Sequence, residues 1–501
     1  MAKRKREAAA TAKEQVSIEQ PRKAVKATTT AESPDNAAIA GTIQIVTGSY
    51  ERVLHGFTAA LPIQPPDLTS GESEKVDSSA TVHFADTFLF QAHTSAIRSL
   101  ALSPLSNTDP SQPQNLVLAS GGSDERINLY SLSSSPPLVS DRFPSVPTLA
   151  GNKILENPKN RELGSLLHHS SSITALNFPS KSKLLAAGED NVISVTRIRD
   201  WNVVSTIKAP QPKSQGRPSG DTAPFGSEPC GVNAFAVHPS MKLMLSVGRG
   251  EKCMRLWNLI TGKKAGVLNF SRDILQSINE NKRGTGEGRG IVWDSQGEEF
   301  AVAFEWGVVV FGVDSTPKCR VLPPSRTKIH RIRYFDFSTK KDGTNELLAI
   351  STEDGRVIFY STKETSEADD SSIPDAKLIV QLGGKASGLS GRVKDFEILD
   401  LADIENWKHH FVLLTCGSDG AVRVWLLKTQ SNANAKKQEA NKSSEIVYRL
   451  LDTYETGNRV TCLASFVMQR PHALDGIDGS DLESDDLEEE EAASSDESDE
   501  E

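Results

Sequence analysis

Short runs rich in Val, Ile, Leu and aromatic residues recur along the middle of this chain, separated by Gly, Ser, Asp and Pro. Leu116–Ser120, Arg126–Leu132, Leu243–Val247 and Val422–Leu427 are examples. Runs of this length bounded by turn-forming residues predict β-strands, because a pleated, half-buried surface favours β-branched and aromatic side chains. Long amphipathic helices are not predicted. The chain therefore reads as all-β.

One spacing repeats seven times. An acid in a turn is followed six residues later by a residue, usually aromatic, at the end of a strand. The pairs are Glu51/Phe57, Asp124/Tyr130, Asp190/Thr196, Glu251/Trp257, Glu305/Phe311, Asp354/Tyr360 and Asp419/Trp425. An apolar strand precedes each turn. Gly122-Ser123-Asp124 and Gly417-Ser418-Asp419-Gly420 are the clearest copies. Repetition of this kind marks a repeat architecture.

These copies resemble WD repeats. Leu413–Gly417, Ser418-Asp419-Gly420 and Ala421–Trp425 match the strand–turn–strand core, as does Met244–Trp257 with Ala236-Val237-His238-Pro239 before it. The resemblance implies a hydrogen-bonded set of turn Asp, a His ahead of the first strand, a Ser or Thr, and the Trp. A buried Asp needs its acceptors filled. His and Ser/Thr can do this, while Trp supplies area and one N–H donor. His93 is the best partner for Asp124. Glu replaces Asp three times, Thr196 replaces the aromatic, and most blades are expected to lack the His and to rely on packing.

The expected fold is a seven-bladed WD40 β-propeller. Residues 43–48, 52–59 and 84–91 form strands b, c and d of a closing blade, and Arg459–Phe466 forms its strand a. Pairing the two ends of the chain removes free sheet edges. Six further blades fall at about 96–168, 173–209, 232–270, 290–322, 329–382 and 391–451. Successive acids are 49 to 73 residues apart, above the usual ~40–45. The excess is assigned to loops at 61–80, 133–161, 208–230, 271–289, 361–375 and 428–444. Of these, 208–230 and 271–289 share the face of the acidic turns.

Charge divides the chain into three. Of 501 residues, 37% are hydrophobic, enough for a sizeable core, and the net charge is −10. Residues 1–28 carry eight Lys/Arg against three Glu, and beyond Arg470 there are 15 Asp/Glu and no Lys or Arg. The expectation is a basic disordered head over 1–40, the propeller over 41–468 and an acidic disordered tail over 469–501. Lys3, Arg4, Lys5 and Arg6 read as a nuclear localisation signal or as a solvated basic tail. Ser484, Ser494, Ser495 and Ser498 precede acids and suit acid-directed phosphorylation; a purely solubilising tail is the alternative.

Five scattered cysteines without a CxxC spacing suggest a reducing compartment. No secretory leader or membrane helix is expected. Enzyme chemistry is not predicted either. Gly284–Gly290 is glycine-rich but lacks the Lys and the strand–helix setting of a phosphate cradle. The adjacent pairs His168-His169 and His409-His410 point to opposite sides of a strand. No catalytic residue, cofactor, metal or small-molecule substrate is assigned.

A narrower resemblance rests on Ile45–Phe57, Val237-His238-Pro239-Ser240, Leu245–Gly248, Arg255–Leu259, Gly391–Asp395 and Asn458–Leu463. Together these are similar to the Mak-eleven / PAK-interacting WD-repeat proteins over most of 43–467. The resemblance implies a non-enzymatic nucleolar scaffold for assembly of the large (60S) ribosomal subunit and pre-rRNA processing. Its partners would be the pre-60S particle, with its assembly factors, ribosomal proteins and pre-rRNA backbone. The alternative it implies is negative regulation of a p21-activated-type kinase through protein binding. The chain is expected to act as a monomer within a large complex. Arg52, Arg126, Arg249, Lys252, Lys282, Arg283 and Arg356 are placed on the acidic-turn face as a docking surface for RNA phosphate or an acidic segment; solvated charge between blades is the alternative.

Overall fold

The computed structural model describes residues 39–469, apart from 67–81, 106–113, 137–145, 148–152, 212–230, 281–284, 339–345, 367–372, 385–388, 390 and 431–444. The basic run Lys3–Arg6, the acidic tail, Lys282 and Arg283 lie outside the described residues. Within that span seven antiparallel sheets follow one another. Blade 1 comprises Ile97–Leu102, Asn115–Gly122, Ile127–Ser133 and Arg161–Leu166. Blades 2 to 6 span 173–208, 232–269, 290–321, 329–383 and 393–455, each with four strands in chain order. Blade 7 joins Ile39–Ser49, Val53–Pro62 and His83–Gln91 to the last strand, Val460–Val467. Each inner strand packs against the next, and Val460–Val467 packs back on Ile97–Leu102. The result is a seven-bladed propeller closed as the sequence predicts.

Burial explains which strands were easiest to read. Middle strands lie between neighbouring blades and are buried on both faces; every residue of His410–Gly417 is buried. Such strands appear in sequence as continuous apolar runs. Outer strands such as Lys263–Asn269 keep mostly exposed residues. The seams between blades hold the core. Ile43, Ile45 and Phe57 of blade 7 pack with Val412, Leu414 and Leu426 of blade 6. On the other side, Val46, Leu54 and Phe466 meet Leu116, Leu118 and Tyr130 of blade 1.

Two segments assigned to loops carry structure. Val146–Pro147 pairs with Lys153–Ile154, and Ile154 lies beside Asp86, so the sheet of blade 7 grows outward to six strands. Strands of two residues have no periodicity to detect. In 271–289 the short helix Arg272–Ser277 is capped by Ser271, whose Oγ accepts from the Ile274 N–H at 3.3 Å. Both additions leave the blade order unchanged.

The closing strand is held by more than its ladder. It runs antiparallel to Ile39–Ser49, from Val467 opposite Ile43 to Val460 opposite Ser49. Blade 6 grips it from the side. The Asp395 carboxylate, 3% exposed, accepts the Leu463 N–H at 3.3 Å. Glu397 accepts both the N–H and the hydroxyl of Ser465 at 2.6 Å. Arg331 and Arg333 of blade 5 balance these acids, with contacts of 3.5–3.6 Å. Burial still pushes the Glu397 carboxyl up, despite the attraction of Arg333. Removing Asp395 leaves the buried Leu463 N–H without its acceptor, while the half-exposed Arg333 keeps Glu397, so the loss costs about 2 kcal/mol. Asp395→Ala should therefore lower the unfolding free energy by about that much in urea titration. Leu89→Ala, at a position 48% exposed on the outer rim, should change it by less than about 0.5 kcal/mol.

Candidate interaction face

All seven acids sit in the turn between the second and third strands, on one face of the ring. Each is a carboxylate brought close to backbone, and each must be neutralised or hydrogen-bonded. The chain solves this in three ways.

Blades 1 and 2 use histidine. His93 Nδ1 lies 3.0 Å from Asp124 and its Nε2 lies 2.8 Å from the Ser120 hydroxyl. The Thr94 N–H donates to the same carboxylate at 2.9 Å. His169 repeats the arrangement, 3.0 Å from Asp190 and 2.9 Å from Ser194. The sequence reading missed His169, because it treated His168-His169 only as a pair. The signal was present: His93-Thr94 stands four residues before Ile97, and His169-Ser170 stands four before Ile173. Glycine completes the geometry in both blades. A Cβ on Gly122 would come 2.4 Å from the Asp124 carboxylate and 2.6 Å from His93. Gly188 is similarly crowded by Asp190 and His169. Burial alone would raise the Asp124 carboxyl, but the Thr94 N–H and the hydrogen bond and charge of His93 hold it below the usual carboxylate range. Asp190 is held low in the same way, against burial, by His169, Ser170 and Val192.

Blades 3 and 6, which carry the two Trp copies, use arginine. Arg255 grips Glu251 with two nitrogens, and Arg423 meets Asp419 at 2.6 Å. Both arginines lie four residues after the acid and two before the Trp. Trp257 then donates to the Ser246 hydroxyl at 2.7 Å and Trp425 to the Thr415 hydroxyl at 3.1 Å. The Trp–hydroxyl half of the WD set is kept and the histidine is replaced.

In blades 4, 5 and 7 the acid is met by local donors. Glu305 pairs with Lys328 at 2.7 Å and Arg289 at 3.3 Å. Asp354 takes the Thr352 hydroxyl at 2.5 Å and Arg356 at 2.7 Å. Glu51 accepts the Arg459 N–H at 2.9 Å, which ties the closing strand to the turn. The residues six positions on are all buried: Phe57, Tyr130, Thr196, Trp257, Phe311, Tyr360 and Trp425.

The basic residues assigned to docking divide by partner. Arg52, Arg126, Arg249 and Lys252 are exposed on this face. Arg249 shares Glu189 with Arg98, at 3.2 and 2.9 Å. Arg356 is held within its own blade by Asp354, Ser325 and Gln381. Trp306 adds an aromatic here, with the Arg326 guanidinium 4.5 Å from its ring centre. Among the described residues no group of three or more His, Cys, Asp or Glu is placed to hold a metal.

Seven antiparallel sheets closed end to end, with turn acids held by His–Ser sets in two blades and by Arg beside Trp–hydroxyl pairs in two more, define a WD-repeat propeller. The family described as "WD domain, G-beta repeat" matches residues 85–131 and 160–196, which contain the two histidine-type turns. Over 84% of its length the chain is 27% identical to "Protein MAK11" of Saccharomyces cerevisiae, covering 82% of that protein. It is 25% identical to "p21-activated protein kinase-interacting protein 1-like" of Danio rerio, over 84% of this chain and 80% of that one. The human "p21-activated protein kinase-interacting protein 1" is 23% identical over 84% of this chain and 76% of its own. This WD-repeat propeller is thus similar along most of its length to MAK11 and the PAK-interacting proteins.

The histidine turns make two predictions. His93→Ala removes the imidazole that bridges Asp124 and Ser120 and should cost about 2 kcal/mol in chemical unfolding. Because Asp124 and Asp190 are lowered in the folded state, their contribution is complete above the unfolded value near 4 and is lost as pH falls through the lower folded values. Unfolding free energy measured against pH should thus fall below about pH 4. Asp124→Asn combined with Asp190→Asn should flatten that fall. An unchanged slope would show that these acids do not carry it.

Proposed function

We propose that this protein is a non-enzymatic scaffold for assembly of the large ribosomal subunit and pre-rRNA processing, acting in the nucleolus. The observation that carries the reading is the similarity to MAK11 over 84% of this chain and 82% of that protein. The charge layout supports it. A basic head and an acidic tail flank a propeller that is neutral overall, and opposite-sign tails suit traffic with basic proteins and nucleic acid. The exposed Arg52, Arg126, Arg249 and Lys252 supply a docking face of the required sign.

A second reading, regulation of a p21-activated-type kinase, is favoured by the names of the animal relatives. One experiment separates the two. On a sucrose gradient of nuclear extract the protein should sediment with large-subunit precursors, and its depletion should slow processing of large-subunit pre-rRNA. A protein found only in light fractions, with normal processing on depletion, rules the ribosomal role out. A kinase complex that survives RNase and high salt would then support the second reading.

A further inference from the structure

Six of the seven inner strands carry one extra residue just after their first. Such a bulge re-aims a side chain, here at the mouth of the central channel on the acidic-turn face. In three blades the bulge residue fastens its own blade to the next. Thr461 donates to the carbonyls of Gly48 and, in blade 1, Ile97, at 2.9 and 2.6 Å. Thr174 reaches Ala187 and, in blade 3, Val232, at 3.1 and 2.6 Å. Asn233 reaches Gly288, beside blade 4, at 2.9 Å. In blade 1, Arg98 makes the equivalent link through Glu189 of blade 2, at 2.9 Å.

Blades 5 and 6 depart from this. Their bulge residues are His330 with Arg331, and Lys394. Arg331 turns to Asp395 at 3.6 Å. The His330 Nε2 is buried and meets no hydrogen-bond partner. Lys394, half-buried, forms no ion pair among the described residues. Further cations stand around them: Arg392, which pairs with Glu353 at 3.1 Å; Arg289, which pairs with Glu305; and Arg459, stacked 5.6 Å over Tyr50. The imbalance has a measurable sign. Burial, with Lys394, Arg392, Arg289 and Arg331, pushes the His330 imidazole down to about 4. Burial and the charges of Arg392 and Arg459 lower the Lys394 ammonium, with Glu353 working against them.

We propose that this sector of the channel mouth is an oxyanion site that receives a phosphorylated side chain of a protein partner. Lys394 and Arg392 supply the charge, and the His330 Nε2–H supplies a directed hydrogen bond. The buried His330 Nε2 selects the carrier. An RNA phosphate is flanked by sugars on both sides, whereas a phosphoserine presents its anion at the tip of a side chain and can reach a buried imidazole. The site lies within the proposed docking face and rests on that reading, but on neither the ribosomal nor the kinase assignment.

The test uses the full-length protein and a fluorescent peptide bearing one phosphoserine among acidic residues. The unphosphorylated peptide and single-stranded oligo-uridine are run beside it. Anisotropy should show phosphopeptide binding that falls at least tenfold in Lys394→Gln. Binding should persist in Lys394→Arg and in Lys183→Gln, which lies on the opposite face. The His330 imidazole resonances should move on titration. Absence of phosphopeptide binding, or equal affinity in Lys394→Gln and wild type, overturns the proposal. So does oligo-uridine binding that Lys394→Gln abolishes when the phosphopeptide does not bind. If the phosphopeptide result holds but Lys394→Gln protein still joins its native complex normally, the docking-face reading fails and the anion site stands.

Discussion

Everything in this molecule depends on pairing Val460–Val467 with Ile39–Ser49. Without that strand, blade 7 would present an unpaired edge, and the seams on both of its sides would open. The ladder is reinforced where a propeller is weakest. Asp395 and Glu397 hold backbone N–H groups of the closing strand, and two arginines of blade 5 hold those acids. Three consecutive blades therefore share one charge network at the point of closure. The Glu51 turn adds a fourth anchor through the Arg459 N–H.

Closure fixes where the turn acids lie, and the acids then set a common physical problem. A carboxylate packed against the backbone needs donors. Histidine from the preceding loop serves two blades and arginine four residues downstream serves two. Neighbouring cations, hydroxyls or a backbone N–H serve the rest. The ring tolerates sequence divergence because several donors can meet the same requirement. The aromatic position is freer still, since Thr196 can occupy it while remaining buried.

Much of the fold was legible in the sequence, and the reasons are local. Middle strands are buried on both faces, so they show as apolar runs. The turn acid must recur because every blade makes the same turn. The two-ended closing blade was readable because its strands keep those features. Other elements left no such trace. Val146–Pro147 and Lys153–Ile154 are too short to have a period. His169 was overlooked because His168-His169 stands out only as an adjacent pair, although His169 precedes Ile173 as His93 precedes Ile97. Arg255 and Arg423 looked like ordinary strand residues until the turn folded their acids back onto them. The basic bulge residues His330 and Lys394 were invisible for a deeper reason. A bulge is a mismatch between two strands, and one strand's sequence does not display its partner's register.

These features place positive charge unevenly on one face, around a channel mouth where blades 7, 2 and 3 are fastened by hydroxyl and amide links and blade 1 by an ion pair. The proposed role requires this face to meet the partner. Cross-linking with a lysine-reactive reagent on the native complex tests it most directly. Partner cross-links should form at Lys252, Lys328 and Lys394, which lie on the acidic-turn face, and rarely at Lys183, Lys242 and Lys263 on the other. Cross-links concentrated on Lys183, Lys242 and Lys263 would contradict it.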